Sequence, residues 1–128
     1  MVTFGQWLDA LRREMGPRAP KSVGFDVQWY RPWQETVPPM IDELRRRGLT
    51  YGVIFKGTHL DKSDEQYIES AKQHIKEWQS TITVHPEWVL FQSWEPHPSK
   101  LLPESSPTNL PYLINWYCGQ STVPGGCR

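Results

Sequence analysis

The chain lacks an excess of either charge and lacks any long apolar run. Lys plus Arg and Asp plus Glu number 14 each, so the formal net charge of the 128 residues is zero. A balanced chain offers no bulk electrostatic attraction, and we expect neither nucleic acid nor a membrane as a partner. The longest apolar runs, such as WVLF at 88–91, are too short to cross a bilayer or to serve as a signal peptide. The default expectation is a cytoplasmic protein.

Cysteine is also scarce, with only Cys118 and Cys127, both near the C-terminus. The pair would close a small terminal loop in a secreted protein, but without an export signal we favour two free thiols in a flexible tail. Neither cysteine has a His or a carboxylate at metal-ligand spacing, and we expect no metal and no cofactor. The length suits one small domain, which we place at 1–117, with 118–128 as the tail.

Two motifs of enzyme chemistry are missing. The chain has no G-x-S-x-G sequence, which counts against a serine hydrolase with a nucleophile elbow. It has no Gly-rich phosphate loop after a strand, since FKGTH at 55–59 contains a single Gly. A flavodoxin-like or Rossmann-like nucleotide-binding domain is therefore disfavoured.

The chain is rich in tryptophan, with seven residues. Each indole supplies a large flat apolar face and one hydrogen-bond donor. Trp7 and Trp78 fall on the apolar stripes of predicted helices, so both are predicted to lie in the core. Trp88, at the start of a predicted strand, is also predicted to be a core residue.

Helical and strand patterns alternate along the chain. Apolar spacing and end signals predict helices over 4–15 (capped by Thr3), from Thr36 to Gly48, from Ser63 to about Trp78, and within 109–117. Runs rich in β-branched and aromatic residues predict strands over 22–29, 50–56 and 88–94. The sequence therefore predicts an α/β fold of parallel βαβαβα units, with three strands covered on both faces.

Polar side chains cluster near the carboxyl ends of the predicted strands, where parallel sheets bind ligands. Within each strand, the polar residues fall on one of the two alternating faces: Asp26 and Gln28 in the first, Lys56 in the second and Gln92 in the third. If these faces point the same way, the residues form one polar cluster. Such groups are costly to bury unless they pair with one another or with a ligand. Two alternatives follow: a structural ion pair between Asp26 and Lys56, or a pocket for a hydrogen-bonding small molecule.

Aromatic and acidic residues surround the same strand ends. Trp94 shares the alternation of Gln92, and the loop after the third strand adds Glu95 and His97. Indole faces beside amides and carboxylates suit a sugar, whose apolar face stacks on a ring while its hydroxyls bind the polar groups. We therefore predict a saccharide site. Its catalytic candidates are Asp26 and Glu95, and its binding candidates are Gln28, Trp29, Trp33, Lys56, Gln92, Trp94 and His97.

Three stretches carry a resemblance to a known family: DVQWYRPW at 26–33, RRRGLTYGVIFKG at 45–57, and WVLFQSWEPHPSKLLPE at 88–104. Over about residues 22–117, they resemble strands six to eight of a glycoside-hydrolase-like (β/α)8 TIM barrel. The resemblance implies carbohydrate binding and, in a longer or oligomeric context, hydrolysis. It transfers no catalytic Glu, because 55–57 contains none where the strand-seven nucleophile would stand.

Three βα units cannot close an eight-stranded barrel. Three possibilities follow: a fragment of a longer barrel, a partial barrel completed by another copy or by a complementary chain, or an open three-stranded sheet. The alternative is a non-catalytic module that binds a saccharide or another subunit.

Overall fold

Helices and strands alternate in the computed structural model, which describes residues 1–127. The elements are α1 (Phe4–Met15), a 3₁₀ turn (Gly16–Arg18), β1 (Ser22–Phe25), α2 (Trp33–Arg46), β2 (Thr50–Phe55), α3 (Asp64–Thr81), β3 (Trp88–Phe91) and α4 (Leu110–Cys118). The strands form a parallel sheet in the order β1-β2-β3, flanked by helices. The predicted α/β class with parallel βαβ units is confirmed.

The contacts divide the chain into two compact units. The first unit comprises Met1–Val53 and Pro86–Trp88, and the second comprises Ile54–His85 and the chain from Val89 on. The first unit buries Leu8, Phe25, Val27, Trp29, Trp33, Val37, Ile41, Leu44, Tyr51 and Val53. The second buries Phe55, Tyr67, Ile68, Ala71, Ile75, Trp78, Ile82, Leu113 and Tyr117. In the first unit, β1 and β2 pair in register, with Gly24 opposite Gly52.

Two helices begin at the residues that their caps predict. Thr3 caps α1 with a full capping box: its hydroxyl accepts from the Gln6 amide, and the Gln6 side chain accepts from the Thr3 amide at 2.9 Å. Ser63 caps α3 by accepting from the Gln66 amide at 3.1 Å. The Gln66 side chain accepts instead from the Lys62 amide at 2.8 Å, so only half of that capping box forms.

The predicted start of α2 is wrong by one turn. The helix begins at Trp33, after Pro32, and the Thr36 hydroxyl donates to the Trp33 carbonyl instead of capping a helix end. Trp33 is only 3% exposed, and burial of its indole stabilises the additional turn. Pro38 and Pro39 consequently lie inside the helix rather than in its first turn.

The predicted coverage of the strands on both faces is wrong for β3. Trp88 and Leu90 are 39% and 45% exposed, and they alternate with the half-buried Val89 and Phe91. This is the alternation of a strand with one face packed and one face open to solvent. Two strands are also shorter than predicted: β1 ends at Phe25 rather than at residue 29, and β3 ends at Phe91 rather than at residue 94.

The C-terminal segment is closed by a disulfide between Cys118, the last residue of α4, and Cys127. The expectation of two free thiols is therefore wrong. The alternative, a small terminal loop closed by the two cysteines, is the arrangement that the structure has. Among residues 1–127, no helix is both long and apolar enough to span a bilayer.

Candidate functional site

The chain after β1 carries the first group of predicted site residues, and all of them belong to the first unit. Phe25, Val27 and Trp29 are buried, whereas Asp26 and Gln28 are exposed. The in–out alternation therefore continues beyond the last paired residue of β1. It leaves the carboxylate and the amide open to solvent at the carboxyl end of the strand.

A small cavity of about 230 Å³ lies beside this segment. Three predicted site residues line it, namely Asp26, Gln28 and Trp33, together with Arg31 and Thr36. The cavity is smaller than the roughly 300–1,000 Å³ of typical small-molecule sites. It suits one polar substituent of a ligand rather than a whole ligand.

Trp29 and Trp33 pack against each other inside the first unit. Their rings meet edge to face, with centroids 5.6 Å apart and planes at 79°. Trp29 is 7% exposed and Trp33 is 3% exposed. Indoles buried to this extent present no open face to a sugar ring, so both support the core beneath the exposed Asp26 and Gln28.

Trp88 is exposed, unlike Trp29 and Trp33, and it was not among the predicted site residues. Its indole lies directly over Gly24 and Gly52: a Cβ atom added at these glycines would stand 2.5 Å and 2.0 Å from the ring. The indole Nε1–H donates to the Ser22 hydroxyl at 2.9 Å. Backbone on one side and a hydrogen bond at one edge hold the ring, which remains 39% exposed.

The prediction that Trp88 lies in the core is therefore wrong. Two signals in the sequence point to its actual position. Gly24 and Gly52 are interior strand glycines, which often mark a close approach of another group to the backbone. Trp88 also shares the alternation of Gln92, so the two were already expected on one face of the third strand.

In the second unit, the backbone carbonyls of two predicted site residues, Lys56 and Gln92, are hydrogen-bonded to buried side chains. The Lys56 carbonyl accepts from Nδ1 of His74 at 2.8 Å, which assigns the proton to Nδ1. Burial lowers the pKa of His74 and thereby keeps the ring neutral. The Gln92 carbonyl accepts from the Tyr67 hydroxyl at 2.7 Å, and burial raises the pKa of Tyr67. The ion pair between Lys56 and Asp26 stays a prediction.

The loop after β3 carries the remaining predicted residues. Trp94 is 82% exposed, and Glu95 is exposed as well. The Ser93 hydroxyl accepts from the Glu95 amide at 3.2 Å and donates to the His97 carbonyl. These bonds fold the loop into a tight turn that presents the Trp94 indole to solvent.

Asp64, the first residue of α3, anchors this loop. Its carboxylate accepts from Nδ1 of His97 at 2.6 Å, and from the amide and hydroxyl of Ser99 at 2.9 Å and 2.7 Å. The Ser99 hydroxyl bond, followed by the bond from His97, lowers the pKa of Asp64. Nothing in the sequence singled out Asp64, because its partners lie more than 30 residues away.

Comparison of the chain with protein-family models, with curated proteins and with solved structures finds no match. The likeness to a glycoside-hydrolase-like barrel therefore stays a prediction. Within residues 1–127, no group of three or more His, Cys, Asp and Glu side chains is placed to hold a metal ion.

Proposed function

We propose that the chain binds carbohydrate and that a sugar ring stacks on the indole of Trp88. The observation that carries the proposal is the support of this ring, which lies on two glycines and donates a hydrogen bond to Ser22. A ring fixed in this way loses little conformational freedom when a ligand stacks on it. The C–H face of a pyranose is flat and apolar, and it matches an exposed indole in both shape and polarity.

Polar groups of the same unit suit the hydroxyls of such a ligand. Asp26 and Gln28 are exposed at the carboxyl end of β1, and Gly24, beneath the Trp88 ring, follows the same alternation. A carboxylate accepts hydrogen bonds, and an amide both donates and accepts them. These are the functions that sugar hydroxyls require, and they support a saccharide over a purely apolar ligand.

The loop after β3 offers a second ring. Trp94 is 82% exposed, which is unusual for so large an apolar side chain. Within the second unit, Trp94 is therefore a separate candidate for a stacking contact with a sugar. Hydrolysis needs two carboxyl groups facing one glycosidic bond at about 5–10 Å. The catalytic roles of Asp26 and Glu95 stay predictions, whereas binding on Trp88 requires residues of the first unit alone.

Calorimetric titration with a panel of hexasaccharides (cello-, laminari- and chitohexaose) tests the proposal. We expect at least one to bind, and we expect Trp88→Ala to weaken that binding by about tenfold or more, since stacking is lost. Trp7→Ala is the matched control, because Trp7 is a similarly exposed indole of the same unit, at 45%. Wild-type affinity in a folded Trp88→Ala variant, or no binding to the panel, would contradict the proposal.

A second candidate function is a subunit-interaction module. The second unit exposes several large apolar side chains, namely Leu60 (67%), Leu90 (45%), Trp94 (82%), Leu101 (61%) and Leu102 (69%). Exposed apolar side chains of this size favour association with another copy or with a complementary chain. Light scattering on the calorimetry sample separates the two candidates. A stable oligomer without saccharide binding supports this second function.

A further inference from the structure

We propose a second binding site in the first unit, for a small amphipathic anion with an acidic head group and an apolar body. The site is a cavity of about 850 Å³ formed by α1, the 3₁₀ turn with the loop after it, the start of β1 and the end of α2. Its lining includes Ser22 and Gly24, which contact Trp88, but not Trp88 itself, and the ligand proposed for it is of a different class from the saccharide.

One wall of the cavity is apolar. Trp7, Leu8 and Leu11 reach it from α1, and Leu49 reaches it from the segment before β2. Trp7 was predicted to lie in the core, but it is 45% exposed, whereas Leu8 is 6% exposed. The apolar stripe of α1 is therefore only partly covered by the chain itself. An apolar ligand body in the cavity would cover the remainder.

The charged residues that line the cavity are all cations: Arg12, Lys21, Arg46 and Arg47. Neither Asp nor Glu is among the lining residues. Since the whole chain has no net charge, this is a local concentration of positive charge in a concave surface. Concave surfaces lined by one sign of charge strengthen the attraction for a ligand of the opposite sign.

Two of these cations already have partners. Arg47 donates to Glu43 at 2.6 Å and also pairs with Asp9, and Arg46 pairs with Glu43. Within residues 1–127, the side chains of Arg12 and Lys21 make no ion pair within 4 Å, and Asp9, which pairs with Arg47, attracts Arg12 only at longer range. The cavity therefore offers one guanidinium and one ammonium for a ligand, which fits a carboxylate, a sulfonate or a phosphate ester.

The size of the cavity favours a free small molecule over a polymer or a membrane surface. Its volume lies within the roughly 300–1,000 Å³ typical of small-molecule sites. Its walls come mainly from two helices and a strand, and Pro17 and Pro20 restrict the connecting loop. A pocket of this kind encloses a compact ligand with its head group near Arg12 and Lys21.

The test compares two fluorescent probes with closely similar aromatic bodies. One is 8-anilinonaphthalene-1-sulfonate, which carries a negative charge, and the other is N-phenyl-1-naphthylamine, which carries none. We expect the sulfonate to bind the full chain at a single saturable site and the neutral probe to bind at least about tenfold more weakly. Equal affinity for the two probes, or no saturable binding, would overturn the proposal.

Charge variants locate the site. We expect Arg12→Gln/Lys21→Gln to weaken sulfonate binding by about tenfold, since each partly exposed ion pair contributes a few-fold in affinity. The matched control is Arg13→Gln/Lys76→Gln, which removes the same charge from residues outside the cavity. Equal weakening in the two variants would overturn the proposal, because it would reflect net charge alone.

Three further tests exclude other sources of a signal. Urea denaturation identifies any variant that binds less because it is unfolded, and Trp7→Leu removes the indole wall while keeping all four cations. We expect Trp7→Leu to weaken binding of both probes. Cosedimentation with vesicles of phosphatidylcholine and phosphatidylglycerol tests for a membrane surface instead. Binding to the vesicles that exceeds binding of the free sulfonate would overturn the assignment to a small molecule.

Discussion

At Gly52 the absence of a side chain decides where an indole can lie. A Cβ atom there would stand 2.0 Å from Cδ2 of Trp88, well inside contact distance, and one at Gly24 would stand 2.5 Å from Cη2. The Ser22 hydroxyl then fixes the Nε1 edge of the ring. Three small residues on adjacent strands thus hold the ring that we propose as the sugar platform.

Gly52→Ala tests this arrangement. The added methyl group meets the fused centre of the ring, which has no flexible end that could move aside. We expect a loss of about 1–3 kcal/mol in the free energy of unfolding, as for other overpacked sites, together with weaker saccharide binding. Urea denaturation and calorimetry measure the two effects.

Gly119→Ala is the control, because the nearest atom outside its immediate neighbours is the Asn115 carbonyl at 3.3 Å. Gly24→Ala should fall between the two, since its methyl group meets the outer edge of the ring. A Gly52→Ala variant that is as stable as Gly119→Ala, with unchanged saccharide affinity, would show that Trp88 does not rest on this backbone.

The buried and exposed positions after β1 follow from the sequence, whereas the exposure of Trp88 and Trp7 does not. The alternation of Phe25, Asp26 and Val27 is a local property of an extended chain, and the structure follows it. Whether a face is covered depends on distant elements. The helical spacing places Trp7 on the apolar face of α1, and the strand alternation places Trp88 on one face of β3. Neither pattern shows whether solvent reaches that face.

At the scale of elements, one carboxylate joins the start of α3 to the loop after β3. Asp64 accepts from His97 and Ser99, and these bonds lower its pKa. A carboxyl whose pKa is lowered by folding stabilises the folded state above its unfolded pKa of about 4. That contribution is lost as the pH falls through the lower, folded pKa.

Asp64→Asn should therefore reduce stability at pH 6 and should flatten the decrease in stability between pH 6 and pH 3. Urea denaturation at the two pH values measures both quantities. The loop that presents Trp94 should also exchange its amide hydrogens faster in this variant at pH 6.

Glu65→Gln is the matched control, since Glu65 is an acid of the same helical turn and is exposed. It removes the same favourable charge from the helix N-terminus but no contact to the loop. If Glu65→Gln and Asp64→Asn had the same pH dependence, the helix end rather than the His97–Ser99 contact would be responsible.

Element boundaries were predictable where a local signal sets them. Thr3 and Ser63 mark the starts of α1 and α3, because capping is a contact between residues three apart. The start of α2 was misplaced because burial of Trp33, a tertiary effect, extends that helix beyond the local signal at Thr36. The contact between Asp64 and His97 has no local signature at all.

At the scale of the whole molecule, the alternation of helices and strands predicted the class of fold, and three parallel strands are present. The Cys118–Cys127 disulfide was not predicted, because two cysteines near the end of a chain are compatible with free thiols as well as with a bridge. The barrel resemblance stays a prediction, since three strands alone do not distinguish a partial barrel from an open sheet.

The central claim is that saccharide binds on the indole of Trp88. The most direct measurement is a ¹H–¹⁵N spectrum of the seven indole Nε1–H groups during titration with the best-bound hexasaccharide. We predict that the Trp88 signal shifts most and that the Trp7 signal stays in place. A saturable shift at Trp7 with an unmoved Trp88 signal, or no shift at any indole, would contradict the account.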